Sequence, residues 1–174
     1  MDLKLKGKVA VITGGSDGIG KAAALSLSRE GARVAIAART EATLASAAKE
    51  IINETGNEVI GIPTDVTDET QVEALINEVV SKWGGVDILV NNAGTSSVAR
   101  LQDLSNEQMI GDIELKVYGA IYCARYALEH LKRSESAVII NTTTPGGKAP
   151  AAGTQPTAMS RAAGISLTKT WSKE

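Results

Sequence analysis

The residues Thr13-Gly14-Gly15-Ser16-Asp17-Gly18-Ile19-Gly20 have the composition of a phosphate cradle. Glycine turns the backbone tightly, lets it approach a ligand and lets a following helix lie close to the preceding strand. A helix that opens here offers unpaired N–H groups and the positive end of its dipole, which suit a pyrophosphate. Gly14, Ser16, Asp17, Gly18, Ile19 and Gly20 are therefore candidate ligand-binding residues. Gly15, Gly20 and Lys21 also spell the P-loop spacing Gly-x4-Gly-Lys, but Ala22 stands where that motif needs a hydroxyl for magnesium. A dinucleotide is the better reading.

Such a cradle needs a strand before it and a helix after it. Val9, Val11 and Ile12 are β-formers bounded by glycines, whereas Ile19, Ala23, Ser26, Leu27 and Glu30 recur at three- and four-residue steps. Further strands are predicted at 32–38, 58–62, 86–91 and 137–141. Helices are predicted at 41–54, from an Asp68 cap to 83, at 105–132 with a break near Gly111, and from 158 onward. Apolar strands alternating with amphipathic helices predict an α/β fold with a parallel sheet covered on both faces, doubly wound in the Rossmann manner. A single dinucleotide-binding domain is expected over 1–174. The last helical pattern meets no stop signal, and the strand at 137–141 would stand at an open edge, so further C-terminal strand and helix segments are expected to complete the sheet.

An acidic residue about 20 positions beyond the turn would grip the ribose hydroxyls of NAD. Ala38 and Arg39 stand there instead. A guanidinium pairs with a 2′-phosphate in a two-pronged contact that a carboxylate would repel, so NADP(H) is favoured over NAD(H).

The spacing Thr-Gly-x-x-x-Gly-x-Gly, together with Asp87-Ile88-Leu89-Val90-Asn91-Asn92-Ala93-Gly94, makes the chain resemble the short-chain dehydrogenase/reductase family from Lys6 onward. The resemblance implies that Asp65 and Val66 contact the adenine and that Asn92, Ala93 and Gly94 line the adenosine side of the cofactor. Asp17 stands where NADP-preferring relatives often carry a second basic residue. A small-molecule carbonyl or alcohol substrate and a homo-oligomer, dimer or tetramer, are likewise implied.

In that family a Tyr hydroxyl exchanges a proton with the substrate oxygen while hydride moves to or from nicotinamide. A Lys four residues on lowers the Tyr pKa, a Ser thirteen residues before it orients the carbonyl, and a helix Asn supports a proton relay. Aligning on Ser160-Arg161-Ala162-Ala163-Gly164-Ile165 puts Arg161 at the Lys position and Thr157 at the Tyr position. Thr144 falls at the Ser position and Lys116 at the Asn position. All four are substituted. Thr144 keeps a hydroxyl and Arg161 a positive charge, but an aliphatic hydroxyl has a pKa far above a phenol's value near 10 and cannot serve alone as the acid. Lys116 could replace the donor if burial or a cationic neighbour lowered its pKa. Tyr118, Tyr122 and Tyr126 lie about 200° to 280° around the helix from Lys116, which points to core packing or a subunit contact. Two functions fit: an NADP(H)-dependent oxidoreductase with a nonstandard active site, and a catalytically silent dinucleotide-binding sensor or partner subunit.

The remaining composition narrows the field. At 174 residues with a formal charge of −2, spread along the chain, there is no basic footprint for nucleic acid. No apolar run reaches the length of a bilayer span, and the N-terminal residues lack the apolar stretch of a signal peptide, which predicts a cytoplasmic protein. Cys123 is the single cysteine and His130 the single histidine, so no metal site is expected; Cys123 reads as a small core residue and His130 as a helix-end surface residue.

Overall fold

In the computed structural model, which describes residues 3–174, β1 (Val9–Thr13) is buried along its whole length. Its side chains alternate: Val9 and Val11 enter one apolar core, and Ala10 and Ile12 enter another on the opposite face. Both faces therefore need cover. Helices α1 (Gly18–Arg29) and α2 (Glu41–Thr55) supply it on one side through Ala24, Leu44, Ala47 and Ile51. Helix α3 (Glu69–Trp83), with residues 123–131 of a later helix, supplies it on the other through Val72, Leu75, Ile76, Cys123 and Ala127.

The strands β2 (Arg33–Ala38), β3 (Val59–Pro63) and β4 (Ile88–Asn91) pair in parallel, as predicted. A short β5 (Val98–Ala99) leaves the main sheet, β6 (Val138–Asn141) returns to it, and β7 (Gln155–Pro156) pairs with β5 in antiparallel sense. The main sheet has the order β3-β2-β1-β4-β6. Succession therefore reverses between β1 and β4, and the crevice beyond their carboxyl ends is where such sheets bind ligands. Strand β6 forms one edge, with Val138 41% and Ile140 48% exposed. Asp87 fastens the opposite end of the sheet. Its Oδ2 accepts from the Val9 N–H at 2.8 Å, and its Oδ1 accepts from the Ser134 hydroxyl at 2.5 Å and from Lys8 at 3.4 Å.

Two elements hold features the sequence reading did not supply. The buried face of α1 is Gly20, Ala24 and Ser28, a stripe of small residues, and Ile19 is 71% exposed. The helix starts too near the glycine turn for a side chain at position 20, since a Cβ there would run into the Gly14 carbonyl oxygen. The long helix does not break at Gly111. Helix α4 (Asn106–Ile113), opened by a capping box between Ser105 and Gln108, runs through a π-helical stretch (Glu114–Tyr118) into α5 (Gly119–Leu131). The Gly119 N–H donates to the Glu114 carbonyl, one residue farther back than in an α-helix. Gly119 itself must be small, because a Cβ there would lie 2.9 Å from Val66 Cγ2.

The tyrosine stripe packs away from Lys116, as its helical angle predicts. Tyr122 and Tyr126 lie against the core on the α3 side, and the Tyr126 hydroxyl reaches Glu69 at 3.4 Å. Cys123 is fully buried and its thiol is pushed up to about 12 by desolvation, consistent with a packing residue. His130 is half-buried near the end of α5, 2.9 Å from the Arg133 guanidinium. Helix α6 (Thr157–Trp171) closes the described chain.

Candidate functional site

The glycine turn between β1 and α1 is held from across the crevice. The Thr13 hydroxyl accepts from the Asn92 and Ala93 N–H groups, each at 3.0 Å, and the Asn92 side-chain amide donates to the Thr13 and Gly14 carbonyls, each at 3.1 Å. Asn92 thus shapes the cradle, and Thr13, which the sequence reading quoted without a role, is its anchor. Gly14 is closed in, since a Cβ there would meet Ala93 Cα and Asn92 Nδ2 at 3.0 Å. Gly18, at φ +53, is the reverse case: a Cβ would meet nothing within 4 Å. The backbone therefore faces open space just where α1 presents its N-terminal amides, and exposed Ile19 stands beside it. One of those amides is already engaged. The Asp17 carboxylate caps the helix by accepting from the Gly18 N–H at 2.7 Å. Ser16 lies half-buried in the same turn.

A pocket of about 160 Å³ opens beside this turn, lined by Gly14, Ala38, Arg39, Asp65, Val66, Ala93, Gly94 and Leu115. Arg39 is exposed on its rim and makes no hydrogen bond or ion pair among the described residues. Asp65 lines the pocket while its Oδ1 accepts from the Thr67 N–H at 3.0 Å and the Thr67 hydroxyl at 2.8 Å, so it also shapes the turn before α3. The residues fit a dinucleotide: open amides for the pyrophosphate, a lined pocket for the adenosine, and a guanidinium at its edge.

At the inner end of the crevice lies a cluster of charge. Lys116, on the π-helical stretch, pairs with Asp112 of α4, and both side chains are within 2% of full burial. Lys116 Nζ also donates to Thr157 Oγ1 at 2.9 Å, and Asp112 Oδ2 accepts from the Ser160 hydroxyl at 2.6 Å. Thr157 Oγ1 takes a second hydrogen bond, from the Ser97 N–H at 3.0 Å. Arg161, one turn along α6, donates to the Thr142 carbonyl at 2.6 Å. Burial pushes the Lys116 ammonium below the usual lysine range and nearby Arg161 adds to this, while Asp112 opposes both. Arg161 is likewise lowered by burial, with Asp112 opposing.

This cluster meets the cofactor crevice at Gly94, where a Cβ would come within 2.9 Å of Arg161 Nη2 and 3.5 Å of Lys116 Cε. The structure therefore brings together Lys116, Thr157 and Arg161, and joins them to the loop that follows β4. Thr144 stands apart. It is exposed, precedes the turn Pro145–Gly147, and lines an outer groove between β6 and α6. Beneath the cluster lies a cavity of about 20 Å³ with mixed walls, polar at Asn91, Lys116 and Arg161 and apolar at Val66, Leu115 and Trp171. Asn91 Oδ1 and Arg161 Nε are buried without a hydrogen-bond partner among the described residues.

Asp112, Ser160 and Ser97 were not singled out from the sequence. For Asp112 a signal existed, because a carboxylate four residues before a lysine on one helix is a pairing distance. Nothing comparable marks Ser97, whose contribution is a backbone N–H supplied by a loop far away in the chain.

The sequence matches the family model described as short chain dehydrogenase over residues 8–174. General stress protein 39 of Bacillus subtilis is 37% identical over 142 residues, which cover 81% of this chain and 49% of that protein. The structure superposes on L-sorbose reductase from Gluconobacter frateurii, complexed with NADPH and L-sorbose, with a TM-score of 0.96 and 34% identity over 99% of this chain and 66% of that one. An NADPH-bound short chain oxidoreductase from Pseudomonas aeruginosa PAO1, described as containing an atypical catalytic center, gives a TM-score of 0.92 at 30% identity over 94% of this chain and 64% of that one. An NAD+-bound xylitol dehydrogenase gives 0.91 at 30% identity, over 96% and 64%. The chain spans between about half and two thirds of the length of these proteins. With the glycine turn, the Asn-Asn-Ala-Gly loop and the sheet order all in agreement, the chain belongs to the short-chain dehydrogenase/reductase family of oxidoreductases.

Proposed function

We propose that this chain is the cofactor-binding and proton-handling part of an NADP(H)-dependent oxidoreductase that interconverts a small carbonyl compound and its alcohol at a site without a phenol. When bound, the nicotinamide supplies or takes up a hydride. The observation that carries the reading is the meeting at Gly94 of the loop after β4 with buried Lys116 and half-buried Arg161. Gly14, Ser16, Asp17, Gly18, Ile19 and Gly20 would hold the pyrophosphate side, and Asp65, Val66, Asn92, Ala93 and Gly94 the adenosine side. Arg39 would take the 2′-phosphate, which agrees with its lack of a partner among the described residues and with the NADPH of two structural neighbours. Thr157, Lys116 and Arg161 would face the reacting end, with Thr144 on the rim of the substrate space. A cytoplasmic homo-oligomer is part of the reading. It is supported by family membership and by the finding that no helix among the described residues is long and apolar enough to cross a membrane.

Calorimetry tests this reading directly. NADPH is expected to bind more tightly than NADH, and Arg39→Asp to weaken NADPH selectively. Equal affinities would refute the preference, and no uptake of either would refute the function. The silent dinucleotide-binding sensor or partner subunit remains the second reading, favoured by Thr157, whose aliphatic hydroxyl replaces a phenol. Oxidation of NADPH with a panel of aldehydes, ketones and diketones separates the two. In a folded Thr157→Tyr/Arg161→Lys variant, carbonyl reduction should rise.

A further inference from the structure

Arg161 enters the interior with more donors than acceptors to meet them. Its Nη1 donates to the Thr142 carbonyl at 2.6 Å, but its Nε is buried with no partner among the described residues. A charged donor left without an acceptor away from solvent is costly, more so than a neutral one. The second orphan is an acceptor. Asn91, at the end of β4, is 8% exposed, and its Oδ1 likewise lacks a partner among the described residues.

The orientation of that amide follows from its neighbours. The Thr168 hydroxyl gives its one proton to the Gly164 carbonyl at 2.7 Å, so toward Asn141 it can only accept, from Nδ2 at 2.9 Å. Asn141 therefore offers its oxygen to Asn91 Nδ2, at 2.8 Å, and the Asn91 oxygen is the atom left over. Asn91 and Arg161 both line the cavity of about 20 Å³ beneath the cluster. Val66, Leu115 and Trp171 in its wall give a water nothing to hold, but one orphan donor and one orphan acceptor supply the two partners that a buried water needs at minimum. A single water requires roughly 10 to 15 Å³, so the cavity admits one.

We propose that this cavity is the binding site of a single ordered water, which accepts from Arg161 Nε and donates to Asn91 Oδ1, and that Asn91 is thereby a positioning residue for Arg161. The guanidinium is then held at two points, Nη1 by the Thr142 carbonyl and Nε by the water. Two points fix the plane of its fork and direct Nη2 to Gly94, where a Cβ would come within 2.9 Å of it. Asn91 stands opposite Asn141 in the β4–β6 register, so the water ties α6 to the interior of the sheet. The site goes beyond the oxidoreductase reading, because the water is bound whether or not the chain turns over a substrate.

Two measurements on the 174-residue chain test the site, and neither needs cofactor or turnover. In a crystal structure at a resolution that shows ordered solvent, a water peak should lie about 2.7–3.2 Å from both Asn91 Oδ1 and Arg161 Nε. No peak, or a peak that touches only one of them, overturns the proposal. In solution, the Arg161 Nε–H resonance, assigned by its disappearance in Arg161→Lys, should show direct NMR cross-relaxation to a long-lived water. Asn91→Leu is close in size but has no acceptor. There the cross-peak should vanish and the Nε–H resonance should shift, while that of exposed Arg29 stays in place. No cross-peak in the parent, or an unchanged one in folded Asn91→Leu, overturns the proposal. Should Asn91→Leu fail to fold, the crystal structure of the parent still decides.

Discussion

Asp17 is the residue at which helix capping and ligand binding pull in opposite directions. Its carboxylate satisfies the Gly18 amide and suits the positive end of α1, yet it occupies the mouth where a phosphate would approach. Asn caps a helix about as well as Asp but carries no charge. Asp17→Asn is therefore expected to keep the fold and to tighten NADPH binding several-fold at low salt, with the gain shrinking as salt is added. Isothermal titration at two ionic strengths checks this, and unchanged affinity at both would show that the carboxylate is remote from the phosphates. The same residue illustrates how far sequence reading reaches. The glycines of the turn were legible because only glycine fits where Gly14 approaches Ala93 and Gly20 approaches the Gly14 carbonyl. Ser160 was not, because a buried polar network is defined by which elements meet; for Asp112 the four-residue spacing to Lys116 gave a pairing distance but not the helix that closes over the pair.

Among the elements, strand and helix identities followed from hydrophobic period, but the closest approaches did not. The spacing of Ile19, Ala23, Ser26, Leu27 and Glu30 identified α1 as a helix without naming its buried face, which proves to be the small residues Gly20, Ala24 and Ser28. The π-helical stretch was invisible for a related reason: Gly119 against Val66 and the Lys116–Asp112 pair select it through tertiary contacts. A more ordinary strap lies at Asp87, which joins β1, the start of β4 and the turn after α5. Burial there disfavours the charged form, but the Ser134 hydroxyl, the Val9 amide and Lys8 together outweigh it and hold the carboxyl below its usual range. A carboxyl whose folded pKa is depressed adds stability above its unfolded value of about 3.9, and that stability is lost as pH falls through the folded value. Asp87→Ala should cost about 2 kcal/mol near neutral pH, as expected for hydrogen bonds to a charged group. The difference from the parent should shrink in acid. Urea unfolding at neutral pH and in acid reads both, and an equal loss at the two would assign the effect to packing instead of charge.

At the scale of the molecule, the two ends of the sheet order are unequal. Strand β1 is buried throughout and hydrogen-bonded on both sides, by β2 and β4, whereas β6 pairs only with β4 in the main sheet and leaves Val138 and Ile140 exposed. Such an edge presents unpaired backbone groups that sheets usually cover. Local opening follows burial and pairing, so the free energy of exposing an amide should fall from the centre of the sheet toward β6. This gradient bears on the site, because Thr142 just after β6 holds Arg161 and the Asn141 side chain bonds to Thr168 of α6. Opening at the edge therefore loosens the helix that carries Thr157 and Arg161, while the glycine turn, strapped to β1 and β4 through Thr13 and Asn92, stays formed. In the 174-residue chain, hydrogen exchange should be slowest in β1, faster by orders of magnitude in β6 and the first turns of α6, and slowed by NADPH most strongly in the turn after β1. Protection in β6 equal to that in β1, in a sample shown by sedimentation to be monomeric, would mean that the edge is as firmly held as the centre and that the start of α6 is as rigid as the glycine turn.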